Sequence, residues 1–557
     1  MIDKQPAIIF FFSFFLPAYL PPQQILQSFL IPQILRPSLL FKPTKSTMAK
    51  RKRNEAANGE AETKPIATKK PRATDSSSTA SKDVAAASSP AGPFTIQIIA
   101  GSYDRILHGI TVLINPTDDS ISFADTFLFN AHTSAIRCLA ISAPSAPQPD
   151  QSQKVFLVSG STDEKINVYS LSAHPPSRKN QDLLAKVAPR PILENRKNRE
   201  IGTLHHHAST ITSLAFPTRG KLLSASEDST IAVTRTRDWS LLSSIKVPVA
   251  KAKGRPSGDT APYQGTPSGV NDFAVHPSLK TMISVSKGER CMRLWNLVTG
   301  KKAGVLNFGK ELLMDVGEGK HSAGEGRKVR WGQGEEGEEE FAVAFDRGVV
   351  VFGTDAVPRC KVLGDVRSKV HEIAYVPLGE GKGSLLAVST EDGRVAFFST
   401  RKADLVEPEQ KKKKDDDDDD EDDDDDGKLP SAKLVASVGG KEDGVTARIK
   451  DFTVLRRGSG EGETLYVIGG SSDGKIRVWK LGASKLREAA DGKGEGKEIG
   501  KLLGVYGTQN RITCLEAFEM IPRPDGVEDS EDEDEEGDWE DEDSEGDDDD
   551  EGDEDEE

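Results

Sequence analysis

The segment LYVIGGSSDGKIRVWK, residues 465–480, most constrains the fold of this chain. Leu465 and Val467 alternate with residues that face the other way, which is the period-two pattern of a strand in a buried sheet. The second half of the segment alternates in the same way, and the SSDG between the halves has the composition of a tight turn. The segment therefore predicts two antiparallel strands joined by a turn, with Trp479 closing the second strand.

The same hairpin recurs along the chain, with an acid in its turn and, less regularly, an aromatic residue in its second strand. The turn acids are Asp163, Asp228, Glu289, Asp346, Asp392 and Asp473. The aromatic residues are Tyr169, Trp295, Phe352, Phe398 and Trp479. These hairpins resemble the second and third strands of WD-repeat propeller blades, in which the turn Asp accepts hydrogen bonds and the Trp packs beneath it. Because Glu289 replaces the Asp, its turn is expected to be held differently.

A divergent copy of the pattern, Ile98–Ile114, supplies a seventh repeat. The sequence thus predicts an all-β fold, a seven-bladed WD-repeat β-propeller. The first blade has no strand before it to line the channel, whereas Arg511–Phe518, after the last blade, reads as an innermost strand. We expect the two ends of the propeller to complete one blade jointly, which removes the free sheet edges of an open ring.

Composition marks the ends of the propeller. Residues 48–93 are poor in large apolar side chains and rich in Ala, Ser, Thr and Lys, which predicts a disordered basic extension. Residues 519–557 are predicted to form a disordered acidic tail. The propeller itself is expected to occupy residues 94–518, with an acidic loop insertion at 402–444.

An apolar stretch, AIIFFFSFFLPAYL, covers residues 7–20 and is interrupted by Pro17. It is too short to span a membrane, and the single early Lys4 makes a poor signal peptide. A weak signal or anchor is the alternative. We expect that residues 1–47 are not part of the working protein, because MAKRKRN from Met48 reads as an ordinary start, and we expect no membrane contact.

Charge is distributed unevenly along the chain. It holds 73 basic and 90 acidic residues, for a net charge of -17. Asp415–Asp426 is an unbroken acidic run, and residues 525–557 contain 25 acids without Lys or Arg. The remaining chain is basic, with 53 acids against 73 basic residues. The acidic runs either keep the chain soluble or compete for basic partners such as ribosomal proteins and histones. Ser530 and Ser544 precede acids by three residues, which suits phosphorylation by an acid-directed kinase.

Two basic clusters in the N-terminal extension are candidates for nuclear localisation. They consist of Lys50, Arg51, Lys52 and Arg53, and of Lys69, Lys70 and Arg72. Such clusters fit the acidic grooves of a nuclear import receptor, or phosphates. A solvated basic tail without a receptor is the alternative.

The sequence contains no sign of a catalytic, cofactor or metal site. H-E-x-x-H, G-x-S-x-G and protein-kinase signatures are missing. The run His205–His207 stands where WD repeats favour Gly-His, and no second ligand group is spaced to complete a metal site. Cys138, Cys291, Cys360 and Cys514 are far apart without a C-x-x-C pair, which predicts core thiols in a reducing compartment.

Three stretches carry a more specific resemblance. They are AGSYDRILHGITV (100–112), HHHASTITSLAF (205–216) and SVSKGERCMRLWNLVTGKKA (284–303). With the basic extension, they resemble the PAK-interacting-protein-like WD-repeat family, whose fungal member is the maintenance-of-killer propeller. The resemblance implies residence in the nucleolus, a role in assembling the large ribosomal subunit and its RNA and, in animal members, binding that restrains a p21-activated-type kinase.

Two functions follow as competing expectations. The favoured one is a non-catalytic scaffold, without a cofactor, in nucleolar assembly of the large (60S) ribosomal subunit and ribosomal RNA processing. Its expected partners are proteins of the pre-ribosomal particle, ribosomal RNA and a nuclear import receptor, bound by a monomeric propeller within a larger assembly. The alternative is a signalling scaffold that binds and negatively regulates a p21-activated-type protein kinase, with histone escort a more distant third.

Overall fold

The computed structural model describes residues 92–148, 152–176, 193–195, 197–249, 268–319, 322–364, 367–379, 383–407, 428–458, 460–492 and 499–522. Seven four-stranded sheets are formed within this part of the chain. All strand pairs inside the sheets are antiparallel, and in each of six sheets four consecutive strands follow one another in space. The structure confirms the predicted seven-bladed all-β propeller.

The first three blades follow one another along the chain. Blade one contains β1 (Phe94–Ser102), β2 (Ile106–Asn115) and β3 (Ser120–Asn130). Blade two contains β4 (Ile136–Ile141), β5 (Lys154–Ser161), β6 (Ile166–Ser172) and β7 (Arg199–Leu204). Blade three contains β8 (Ile211–Thr218), β9 (Lys221–Ser226), β10 (Thr230–Arg235) and β11 (Leu241–Lys246).

The remaining blades repeat this plan. Blade four contains β12 (Val270–Val275), β13 (Thr281–Ser286), β14 (Cys291–Asn296) and β15 (Lys301–Asn307). Blade five contains β16 (Lys328–Gln333), β17 (Glu339–Ala344), β18 (Val349–Gly353) and β19 (Pro358–Val362). Blade six contains β20 (Val370–Pro377), β21 (Ser384–Thr390), β22 (Arg394–Ser399) and β23 (Lys433–Gly439). Blade seven contains β24 (Ile449–Arg457), β25 (Thr464–Ser471), β26 (Lys475–Gly482) and β27 (Gly500–Gly507).

The last strand closes the ring. β28 (Ile512–Glu519) pairs antiparallel with β1, so that Ile98 lies opposite Ala517, and the sheet order of blade one is β28-β1-β2-β3. The predicted sharing of one blade between the two ends of the propeller is therefore confirmed. An otherwise free inner edge of β1 is satisfied by main-chain hydrogen bonds from a strand more than 400 residues away in sequence.

The hydrophobic core lies between the blades rather than at one centre. Trp479, on β26 of blade seven, is fully buried in a cluster with Leu385 and Phe397 of blade six. Tyr466 of blade seven packs likewise in a cluster with Ile96 and Ile110 of blade one. Because each sheet is covered on both faces, the strands in the middle of a blade can be apolar on both sides, as β2 and β25 are.

One predicted boundary needs correction. The sequence predicts a single loop insertion at residues 402–444, but this range includes β23, the outermost strand of blade six, at Lys433–Gly439. The main chain just before β23 also bonds to blade five, because Lys361 N donates to Pro430 O at 2.9 Å. Sequence reasoning misses the strand because its short apolar pattern follows a long charged run, where composition predicts a loop.

Two short α-helices interrupt the all-β pattern within the described residues. α1 (Lys310–Asp315) follows β15, and α2 (Ala483–Ala490) connects β26 to β27. The apolar face of α2 is buried, with Leu486 fully inaccessible to solvent. No helix in the described ranges is long and apolar enough to cross a membrane.

Several predictions lie outside the described residues. These are the stretch 1–47, the basic clusters Lys50–Arg53 and Lys69–Arg72, the acidic run Asp415–Asp426, and the candidate phosphorylation sites Ser530 and Ser544.

Candidate functional site: blade turns and the central channel

In blade two the turn acid belongs to a hydrogen-bonded triad. His132 Nδ1 lies 3.1 Å from Asp163 Oδ2, and His132 Nε2 lies 2.8 Å from Ser159 Oγ. The main-chain N–H of Thr133 also donates to Asp163, at 3.0 Å. Burial opposes ionisation of Asp163, but these hydrogen bonds outweigh it and hold the pKa of the carboxyl below its usual value. The triad ties the loop before β4 to the turn between β5 and β6.

Blade three repeats the triad with His207, Ser224 and Asp228. His207 Nδ1 lies 3.1 Å from Asp228 Oδ2, and its Nε2 lies 2.8 Å from Ser224 Oγ. Despite burial, donation from His207 and from Thr230 lowers the pKa of Asp228 to about 2. The third histidine of the run His205–His207 thus has a structural environment, while His205 is exposed.

The other turn acids occupy equivalent turns but have different partners. Glu289 forms an ion pair with Arg293, which is the different arrangement expected for that turn. Asp346 pairs with Arg327 and, at 3.2 Å, with Lys369 before blade six, so that it links two blades.

The turns of blades six and seven close on themselves. Thr390 donates to Asp392 and Ser471 donates to Asp473, each within its own turn. Arg477 Nη2, on β26, lies 3.1 Å from Asp473 Oδ2, so this turn acid is paired with a cation from its own hairpin. All six turn acids therefore stabilise turns, and none of them reaches into the channel cavity.

The five predicted aromatic residues are buried in the blades, at 3% exposure or less. Trp295 Nε1 donates to Ser284 Oγ at 2.8 Å, and Trp479 Nε1 lies 3.2 Å from Asp443 Oδ2. Tyr169 is stacked on a neighbouring phenylalanine, Phe352 is stacked on another, and Phe398 packs between blades five and six. These side chains have a structural role.

A central channel of about 750 Å³ runs between the innermost strands. It contains a network of charges from blades four, five and six. Arg330 Nη1 lies 2.6 Å from Asp272 Oδ2, and Arg330 Nη2 lies 2.6 Å from Glu372 Oε1. Lys328 Nζ lies 2.6 Å from Glu372 Oε2, and Ser213 Oγ donates to Asp272 at 2.7 Å. The network joins neighbouring blades through side chains rather than through a shared sheet.

Two further carboxyl groups, those of Glu516 and Asp451, line the channel without a Lys or Arg ion pair among the described residues. Burial and the nearby Asp451 raise the pKa of Glu516 to about 8. Burial and the nearby Glu372 likewise raise the pKa of Asp451, although its carboxylate accepts a 2.8 Å hydrogen bond from Leu515 N. The raised pKa values of both carboxyls favour their neutral forms inside the channel.

Three of the four cysteines, Cys291, Cys360 and Cys514, are buried, and Cys138 is partly buried. Burial raises the pKa of Cys138 and of Cys360 to about 12, and all four cysteines are free. Among the residues that the structure describes, no group of three or more His, Cys, Asp and Glu side chains could hold a metal ion.

Sequence reasoning does not identify the channel charges. Each belongs to an innermost strand in which charged and apolar residues are mixed. One signal was available, because Asp272, Glu372 and Asp451 each stand at the third position of their strands, in VND, VHE and IKD. A charge at the same place in successive inner strands indicates a position that faces the channel.

Comparison with known proteins agrees with the fold. A model of the family "WD domain, G-beta repeat" matches residues 124–170 and 198–233. Those ranges span most of blades two and three, the two blades whose turns contain the complete His–Ser–Asp triad.

Similar proteins come from fungi and vertebrates. Protein MAK11 of Saccharomyces cerevisiae is 27% identical over 441 residues, which cover 75% of this chain and 82% of that protein. A "p21-activated protein kinase-interacting protein 1-like" protein of Danio rerio is 24% identical over 447 residues, which cover 78% of this chain and 86% of that protein. The Xenopus laevis protein of the same name is 23% identical over 439 residues, which cover 78% of this chain and 85% of that protein. The chain is thus a WD40-repeat propeller and a homologue of Protein MAK11 and of the p21-activated protein kinase-interacting protein 1-like proteins.

Proposed function

We propose that this protein is a non-catalytic scaffold in nucleolar assembly of the large (60S) ribosomal subunit and in ribosomal RNA processing. The observation that carries the proposal is the similarity to Protein MAK11, which extends over 75% of the chain and is thus not confined to a single repeat. The sequence resemblance to the maintenance-of-killer propellers implies the same role. A propeller provides a rigid surface for several partners, which suits an assembly factor.

The charge distribution supports a polyanionic neighbour. Outside its two acidic runs the chain has 73 basic residues against 53 acids. An excess of Lys and Arg of this kind favours association with RNA through phosphate contacts and counterion release. The proposed partners are proteins of the pre-ribosomal particle and ribosomal RNA.

The test is depletion of the protein followed by gradient sedimentation. We expect fewer free large subunits relative to small ones, accumulation of large-subunit RNA precursors, and co-sedimentation of the protein with precursor particles. If phosphate contacts hold the protein there, co-sedimentation weakens steeply between about 50 and 200 mM salt. Unchanged subunit ratios after depletion would contradict the proposal.

Nuclear entry is proposed to depend on the two basic clusters. Replacing Lys50–Arg53 and Lys69, Lys70 and Arg72 by Ala should move a tagged protein from the nucleolus to the cytoplasm. A matched variant with the exposed Lys221 and Lys280 replaced by Ala keeps the nucleolar signal. Nucleolar localisation of the cluster variant would exclude this route.

A second candidate function is a scaffold that binds and restrains a p21-activated-type protein kinase. It is favoured by the names of the Danio rerio and Xenopus laevis relatives, which describe kinase-interacting proteins. Purification of the tagged protein separates the two candidates. Recovery of a kinase as the main companion, without ribosomal proteins, would favour this second function.

A further inference from the structure

The mouth of the channel, where the innermost strands begin, is lined by four Lys and Arg cations and one histidine from several blades. Arg137 on β4, His371 on β20 and Lys450 on β24 each follow the first residue of an innermost strand. Arg327 and Arg511 directly precede β16 and β28. All five side chains line the same cavity. We call this set, with Tyr103, the channel mouth.

Glu227, Glu325 and Lys287 line the same cavity, and several cations at this end of the propeller are paired with acids. Lys287 Nζ lies 3.2 Å from Glu227 Oε1, and Arg448 Nη1 lies 3.2 Å from Glu391 Oε1. Lys369 and Arg327, the latter a member of the channel mouth, both pair with Asp346. Within the described ranges no carboxylate lies within 4.0 Å of the cationic groups of Arg137, Lys450 or Arg511. Arg137, Lys450 and Arg511 are therefore the cations of the mouth that have no carboxylate partner among the described residues.

The protonation of the mouth residues reflects this excess. Burial, followed by the nearby Arg448 and Arg511, lowers the pKa of Lys450 to about 8. Burial, followed by Lys450 and Arg448, lowers the pKa of His371 to about 3. His371 Nε2 is buried and has no hydrogen-bond partner within the described residues. An anion at the mouth would offset the repulsion and provide an acceptor for these groups.

The geometry favours an acidic peptide over a nucleic acid. A nucleic-acid backbone carries regularly spaced phosphates and is bound by an extended basic stripe. Here the neighbouring cations are paired with carboxylates, so the unpaired positive charge is confined to the mouth instead of continuing along a stripe. Tyr103 is 59% exposed at the mouth, 5.7 Å from the Arg511 guanidinium, and offers an aromatic surface of the kind that anchors peptides.

We propose that the channel mouth binds an acidic peptide segment, and that the resident occupant is this chain's own segment 525–557. That segment contains 25 acids and no Lys or Arg, so its carboxylates complement the cations of the mouth. This proposal does not rest on the ribosomal role.

The segment is long enough to reach the mouth. The described chain ends at Pro522, three residues after β28, on the end of the propeller opposite the mouth. The segment can pass around the outside of a blade, first outward across its four strands, then along the length of the eight-residue strand β28, and finally back inward. With strands about 4.8 Å apart and a rise of about 3.4 Å per residue, this path measures about 65 Å. Residues 523–557, if fully extended, span about 115 Å at roughly 3.3 Å per residue. The acids nearest the end of the chain are therefore within reach of the mouth.

Tethering strengthens this assignment. A segment joined to the propeller by a short connection has an effective concentration of about the millimolar range at any site within its reach. A mouth that binds acidic peptides even weakly is therefore occupied first by the attached segment. An acidic partner in trans has to displace it.

The test is carbodiimide coupling of the purified full chain, because this reagent forms an amide only between an amine and a carboxylate in contact. We expect mass spectrometry of the monomer to identify an amide between Lys450 and a carboxylate of residues 525–557. The yield should fall at least five-fold in 0.5 M salt, because the contact is electrostatic. It should fall similarly when an excess of free peptide 525–557 is added.

Paired variants locate the contact. Arg137→Glu with Arg511→Glu reverses two exposed cations of the mouth and keeps Lys450, so the yield should fall at least five-fold. Lys221→Glu with Lys280→Glu makes the same change in net charge at exposed turns on the opposite end, and should leave the yield unchanged. The proposal is overturned by the absence of the Lys450 amide, by equal yields in the two variants, or by an amide found only in dimers. It is also overturned if single-stranded RNA binds at the mouth and the free peptide does not compete.

Discussion

Arg330 on β16 and Asp272 on β12 form an ion pair between blades five and four, with 2.6 Å between Nη1 and Oδ2. The Asp272 side chain is fully buried, and it also accepts hydrogen bonds from Ser213 Oγ and Val329 N. One carboxylate thus connects three consecutive innermost strands. Inter-blade contact at the channel depends on charge as well as on apolar packing.

Removing this carboxylate should destabilise the propeller strongly. Asp272→Ala leaves Arg330 Nη1 and the donors on Ser213 and Val329 without their acceptor, while Arg330 Nη2 keeps Glu372, so we expect a loss of about 2–4 kcal/mol. Urea unfolding of the two proteins measures the difference. Asp118→Ala, at an exposed turn, is the control and should change the free energy of unfolding by less than about 1 kcal/mol. Equal effects of the two substitutions would contradict the importance of the network.

The three consecutive histidines offer a comparison within one loop. His207→Ala removes the partner of Asp228 and Ser224, so we expect a loss of about 1–3 kcal/mol in the free energy of unfolding. His205→Ala, at an exposed position two residues earlier, should change it by less than about 0.5 kcal/mol. Thermal or urea unfolding distinguishes the two, and equal stability would show that the triad does not hold the blade.

Much of the fold was predictable because its signals are local. The strand–turn–strand pattern around Asp163 or Asp473 depends on alternation and turn chemistry within a few residues, and each blade repeats it. Even the closing strand β28 could be identified, since a ring without free edges requires an inner strand for blade one.

The channel could not be predicted in the same way. Asp272, Arg330 and Glu372 are separated by more than 40 residues each, and only ring closure brings their strands together. A charge inside an apolar strand is ordinarily read as a solvent-facing position. Whether it meets a cation, another acid or water depends on the neighbouring blades, and no local pattern specifies that.

Stability should fall as the pH rises through the neutral range. Glu516 has an ordinary pKa of 4.5, and burial with the nearby Asp451 raises it to about 8 in the folded protein. Between these values the folded state binds more protons than the unfolded state, so the free energy of unfolding decreases with increasing pH. Below pH 4.5 the Glu516 carboxyl is protonated in both the folded and the unfolded state, so it does not contribute to the pH dependence of stability there.

Melting temperatures at pH 5.5 and pH 8.5 test this. Glu516→Gln, which stays neutral, should reduce the difference between the two temperatures. The control Glu488→Gln, at an exposed position of α2, should leave the difference as it is in the unmodified protein. A Glu516→Gln protein with the same pH dependence as the control would show that this carboxyl ionises normally.

Ring closure gives the last prediction. A chain ending at Gly507 lacks β28, so β1 loses the strand that pairs with it from Ile96 to Ser102, and blade one presents an unpaired inner edge. Exposed strand edges pair with other chains, and the truncated protein should therefore aggregate and lose its cooperative melting transition. A chain ending at Pro524 retains every strand and serves as the control, which should remain monomeric and melt cooperatively. Size-exclusion chromatography and thermal unfolding measure both properties. A monomer ending at Gly507 with the melting temperature of the control would show that the propeller does not need its shared blade, because the six remaining sheets and a three-stranded first blade would then suffice to hold the ring.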